Sequence, residues 1–147
     1  MTSIETALTD EAIARIALDV LNTTYPYADW DHAAHFALAL WLLRNPGVLA
    51  AQGGIKTILQ RYNKAVGIPD IPTRGYHETI TTASMRAAAW FLARHGKAAK
   101  VSVVLADLMR GEPGDPKWLL TYWSEPHLLS LSARRDWVEP DLLPFPY

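Results

Sequence analysis

The stretch His32-Ala-Ala-His-Phe-Ala-Leu-Ala-Leu-Trp-Leu-Leu43 decides the fold. Apart from its two histidines, every residue in it is apolar. A helix that is apolar all round is buried at the centre of a helical assembly, because no face of it is suited to water. Asp29 or Asp31 can open this helix, and Arg44 closes it ahead of Asn45-Pro46, a cap followed by proline at the first helical position. The uninterrupted apolar run, residues 36–43, is far shorter than the roughly 20 residues a membrane-spanning helix needs.

Working outward, the same helical spacing recurs on both sides. Upstream, Ile13, Ile16, Ala17, Val20 and Leu21 predict a helix over about 10–22, capped by Thr9 or Asp10. The loop that follows contains Pro26. Downstream, Val48, Ala51, Ile55, Ile58, Leu59, Tyr62 and Val66 keep one phase across Gly53 and Gly54. That predicts a single third helix, weakened or kinked at the glycines and ended by Gly67. A fourth helix is predicted from Gly75 to Gly96, with Ile80, Ser84, Ala87, Ala88 and Phe91 as its apolar face. Beyond it, residues 102–110 read as a helix closed by Gly111, and a short one begins near Asp115-Pro116. The three prolines in 140–147 forbid regular helix there, while Leu142, Leu143, Phe145 and Tyr147 point to a docked tail. The expectation is one all-α domain over 1–147: a four-helix up-and-down core, short C-terminal helices and a docked proline-rich tail.

The 147 residues are half hydrophobic, which supplies a packed core and excludes disorder as the overall class. Fourteen Lys and Arg against fifteen Asp and Glu leave a net charge of -1, so nothing advertises a nucleic-acid partner. The absence of cysteine excludes disulfides, a thiolate nucleophile and Cys-ligated metal. Met1-Thr-Ser-Ile-Glu5 lacks the basic start and apolar core of a signal peptide, so a cytoplasmic location is expected. No phosphate-binding glycine loop or Gly-x-Ser-x-Gly elbow occurs.

Chemistry is concentrated in the histidines. His32 and His35 share a helix face within the most apolar segment of the chain. His77 and Glu78 fall in the first turn of the fourth helix. In an up-and-down bundle the second and fourth helices run parallel, which brings His32, His35 and His77 to one rim with Asp19, Tyr62 and Asn63. The functional reading is a mononuclear transition-metal site for zinc, iron or copper. Its ligands would be His32, His35 and His77, with Glu78 or Asp19 as fourth ligand or orienting group. Glu78 and Tyr62 would be catalytic, and Asn63 and Trp30 would bind a small-molecule substrate. The Glu-x-x-His pairs of di-iron bundles and His-Glu-x-x-His are both missing. Against this stands the plainer role of each histidine as a hydrogen-bonded core residue. His95 and His127 read as surface residues.

The six tryptophans offer another class of function, an apolar pocket for a small ligand, set against ordinary core packing. The alternative to a metal-dependent enzyme is therefore a non-catalytic helical module that binds a small apolar ligand or a partner protein. A homo-oligomer fits both.

Trp30-Asp-His-Ala-Ala-His35, Arg61-Tyr-Asn63, Gly75-Tyr-His-Glu-Thr-Ile-Thr81 and Trp137-Val-Glu-Pro-Asp-Leu142 together resemble an uncharacterised family of small bacterial all-helical proteins. The resemblance spans most of the chain. It implies a helical fold and a cytoplasmic setting, and it implies no reaction.

Overall fold

The computed structural model describes residues 7–147, so Met1–Glu5, read above for targeting, lie outside the described residues. Those residues form an all-α fold of eight helices joined by turns, with no strand and one isolated bridge, between Ile71 and Arg74. The helices are α1 (Asp10–Leu21), α2 (His32–Arg44), α3 (Pro46–Ala51), α4 (Gly54–Ala65), α5 (Glu78–His95), α6 (Val101–Arg110), α7 (Glu125–Leu128) and α8 (Leu131–Arg135). None of these helices is long and apolar enough to cross a membrane.

The central helix is the one the sequence singles out. Seven residues of α2, from Ala34 to Leu42, are buried, and α1, α5 and α6 pack against it. Its cap is Asp31, whose carboxylate accepts from the Ala34 N–H at 2.8 Å. Thr9 caps α1 in the same way, through the Ala12 N–H at 3.1 Å. The cap of α6 comes from elsewhere in the chain. Lys100 precedes α6 and offers no side-chain acceptor; Asp10, at the start of α1, accepts the Ser102 N–H at 2.8 Å. The Ser102 hydrogen bonds also hold the Asp10 carboxyl below its usual range.

The single third helix expected over 46–66 is two, α3 and α4. Gly53 and Gly54 both adopt left-handed backbone, with φ of 90° and 89°, and no right-handed helix continues through such residues. The apolar phase survives the break because α3 and α4 pack against each other, and α4 also lies on α1. The fourth expected helix starts three residues later than Gly75. His77 is not in its first turn but is its cap, with Nδ1 accepting the Ile80 N–H at 3.1 Å.

From Gly111 onward the chain runs in short helices and turns. Trp118, Leu119, Tyr122 and Trp123 are buried. The last residues lie over them: the Leu142 N–H donates to the Tyr122 carbonyl at 2.9 Å, and the Trp123 indole donates to the Val138 carbonyl at 3.0 Å. Phe145 sits 5.2 Å from the Trp123 ring and 5.8 Å from the Trp118 ring. Glu112 accepts the hydroxyl of Tyr122 on both carboxylate oxygens, at 2.8 and 2.6 Å, and the hydroxyl of Tyr147 at 3.0 Å.

Candidate functional site

A cavity of about 600 Å³ opens between α2, α4, α5 and the turn-rich segment that carries Trp118 and α7. Its walls are mostly apolar: Phe36, Leu38 and Ala39 from α2, Ile55 and Leu59 from α4, Ile80 and Met85 from α5, and Trp118 through Leu120 opposite. The packing explains the hollow. Thr81 and Ser84 of α5 and Ala39 of α2 are small where these two helices pack, so the backbone frame holds space that the side chains do not fill. Polar groups are few: His32, His35, Asp31, Thr81, Ser84, Lys117 and Glu125.

Three residues singled out in the sequence meet here: Trp30, His32 and His35. His35 counts as an exposed residue although protein atoms surround it closely, because its open side faces the cavity. Its ring lies against the Trp30 indole, 3.8 Å between centroids at 31°. Its Nδ1 donates to the Asp31 carbonyl at 2.7 Å, which leaves the Nε2 lone pair without a partner among the described residues. Burial, followed by the neighbouring His32, holds the imidazole below the usual histidine range, against the raising effect of the Asp31 carbonyl. At neutral pH the ring is therefore an uncharged acceptor in an apolar wall. His32 donates from Nε2 to the Pro113 carbonyl at 2.6 Å and packs edge-on to Phe36.

The other expected site residues are placed differently. His77 does not line the cavity. It is 7% exposed, and both of its ring nitrogens are engaged: Nε2 donates to the Leu128 carbonyl at 2.8 Å while Nδ1 caps α5. Glu78 accepts the Tyr76 hydroxyl at 2.8 Å and does not line the cavity. Tyr62 is fully buried and donates its hydroxyl to the Tyr25 carbonyl at 2.7 Å. Its ring backs Trp30 at 5.2 Å, so it supports the cavity wall from behind. Asn63 lines a separate hollow with Gln60, Lys64 and Tyr76. Asp19 contributes its backbone carbonyl, which accepts the Thr24 and Tyr25 N–H groups. Among the described residues, no three His, Asp or Glu side chains are grouped to hold a metal ion.

Sequence reasoning missed the far wall. The short helix expected from Asp115-Pro116 is a single 3-10 turn, Trp118–Thr121, followed by α7, and residues 116–129 contribute Lys117, Trp118, Leu119, Glu125 and Leu128. The only available signal was the excess of tryptophan; of the six, Trp30 and Trp118 line the cavity. No family model matches this chain, and neither does any curated protein or solved structure.

Proposed function

We propose that this protein binds a small, flat, largely apolar molecule in the cavity beside Trp30 and His35, and that the ligand carries one hydrogen-bond donor. The observation that carries this reading is the neutral imidazole of His35, tilted against Trp30, with one ring nitrogen unpartnered among the described residues, in a mostly apolar hollow of about 600 Å³. That volume lies within the range of roughly 300–1,000 Å³ typical of small-molecule sites. A mostly apolar wall in which the His35 Nε2 lacks a partner favours a hydroxyl-bearing aromatic over a hydrocarbon. Water must be displaced from the imidazole, and only a donor replaces its hydrogen bond.

Tryptophan fluorescence titration with naphthol, and in parallel with its methyl ether, tests the proposal. Naphthol is expected to bind more tightly, by about tenfold. Ser84→Phe, which fills the hollow, is expected to abolish binding of both while circular dichroism stays unchanged. Absence of binding by either compound to the wild-type chain overturns the proposal.

The second reading is the metal-dependent enzyme. It is favoured by one observation, that His32 and His35 line the same cavity and keep one ring lone pair each. His77 would have to surrender two backbone hydrogen bonds to join them, which is why this reading stands second. Elemental analysis of protein purified without a nickel column decides it: stoichiometric zinc, iron or copper that disappears in a His35→Ala variant supports it.

A further inference from the structure

A second cavity, of about 370 Å³, lies between α4, the 68–76 loop and α8. It shares no lining residue with the first and is polar instead of apolar. Lys56, Arg134 and Arg135 line it together with Asp70, Asp136 and Tyr76. None of these charged groups is in an ion pair, since the two salt bridges among the described residues both involve Asp107.

Arg134 is held in place by its Nη1, which donates to the Gly75 carbonyl at 3.2 Å and the Tyr76 carbonyl at 3.4 Å. The loop supplying those carbonyls is tightly turned. Gly75 has φ of 102°, and a Cβ there would sit 2.7 Å from the Pro69 carbonyl oxygen. The opposite edge of the guanidinium, Nε–H with Nη2–H, makes no hydrogen bond among the described residues, and Nε is the one fully buried side-chain nitrogen or oxygen left without a partner. That edge is the fork that matches two oxygens on a single atom. Leaving such a donor buried and unpaired costs about 1–3 kcal/mol, so the fold maintains the arrangement at some expense. Asp70 and Asp136 line the same hollow without pairing with the fork; Asp70 accepts the Gln60 amide at 3.2 Å instead.

We infer that this hollow is a binding site for a small monoanionic carboxylic acid, which Arg134 grips in bidentate fashion by turning its buried Nε and its Nη2 toward the ligand, with Lys56 steering it. Three cations and two carboxylates give the lining a net charge of +1, which a single negative charge neutralises and a phosphate dianion overshoots. Ile71, Pro72 and Leu131 supply the apolar contact for the rest of the molecule. The inference is independent of the proposed aromatic ligand, because the two cavities have no residue in common.

The test is a titration of the full chain with sodium benzoate, against sodium chloride and sodium phosphate at equal ionic strength, following the arginine Nε–H signals by nuclear magnetic resonance. The Arg134 signal is expected to move saturably with benzoate and to stay in place with chloride. Lys56→Ala is expected to weaken binding about threefold. Arg134→Lys, which keeps the charge and loses the fork, is expected to weaken it by about tenfold or more. A signal unmoved by benzoate, or moved equally by chloride, overturns the site. Tighter binding of phosphate than of benzoate overturns the carboxylate assignment. Should Arg134→Lys fail to fold, an undiminished affinity in Lys56→Ala overturns the proposal by itself.

Discussion

The ring of His77 joins two elements 51 residues apart: its Nε2 donates to the carbonyl of Leu128 at 2.8 Å. Its other nitrogen accepts the Ile80 N–H, so one imidazole both starts α5 and anchors α7 to it. A neutral ring protonated on Nε2 is the only form that satisfies both bonds. Burial, together with the nearby positive charge of Arg134, holds His77 below the usual histidine range, overcoming the raising effect of the Leu128 carbonyl.

Stability is therefore expected to fall on acidification. His35 and His77 both titrate below the ordinary value of 6.5 in the folded chain. The unfolded chain takes up protons near that value while the folded chain refuses them, so the stabilisation is present in full above it and is lost as the pH drops below it. Melting temperature measured across this range checks the expectation. A flat profile contradicts it, and His77→Asn is expected to shallow the slope.

His77→Ala removes the α5 cap and the tie to Leu128 together. The loss is expected to be about 2 kcal/mol, the sum of a cap and one buried hydrogen bond. Urea denaturation with an unchanged slope is the measurement.

The break between α3 and α4 predicts an ordered pair of costs. Alanine at Gly54 meets nothing within 4 Å, so it carries only the left-handed backbone penalty, about 1 kcal/mol. Alanine at Gly53 carries the same penalty and also crowds the Thr57 side chain, whose nearest atom would lie 3.1 Å away. Gly53→Ala is expected to be the more damaging of the two in thermal melts. The reverse order would contradict this account of the break.

Glu112 is expected to govern the titration of two phenols. The Tyr147 hydroxyl is pushed up to about 12, by burial first and then by its hydrogen bond to Glu112, and Tyr122 is pushed up by the same two causes. In Glu112→Gln the carboxylate charge is gone, so both phenols are expected to ionise at lower pH than in the wild-type chain. Ultraviolet titration of the phenolates reads this directly.

The parts of the fold that local chemistry specifies were legible. Thr9, Asp31, Gly67 and Gly96 mark helix ends because each acts on its own neighbours, and the polarity of 32–43 reveals α2 as the centre. The unbroken third helix was misread because apolar phase survives a break when both halves pack on one another; backbone sign at Gly53 and Gly54 overrode it. In the cavity, the sequence singles out Trp30, His32 and His35. The wall from residues 116–129 was not legible, since these form short turns whose pairing is decided by partners far along the chain. His77 and Asp10 illustrate the same limit: each caps or ties through contacts that no local spacing encodes.

The Asp10 carboxylate has a consequence for the order of assembly. The amide it receives lies 92 residues later, so the opening turn of α6 stays frayed until a very long loop has closed. Perturbing this contact is therefore expected to accelerate unfolding while leaving the folding rate nearly unchanged, the kinetic signature of an interaction made after the rate-limiting barrier.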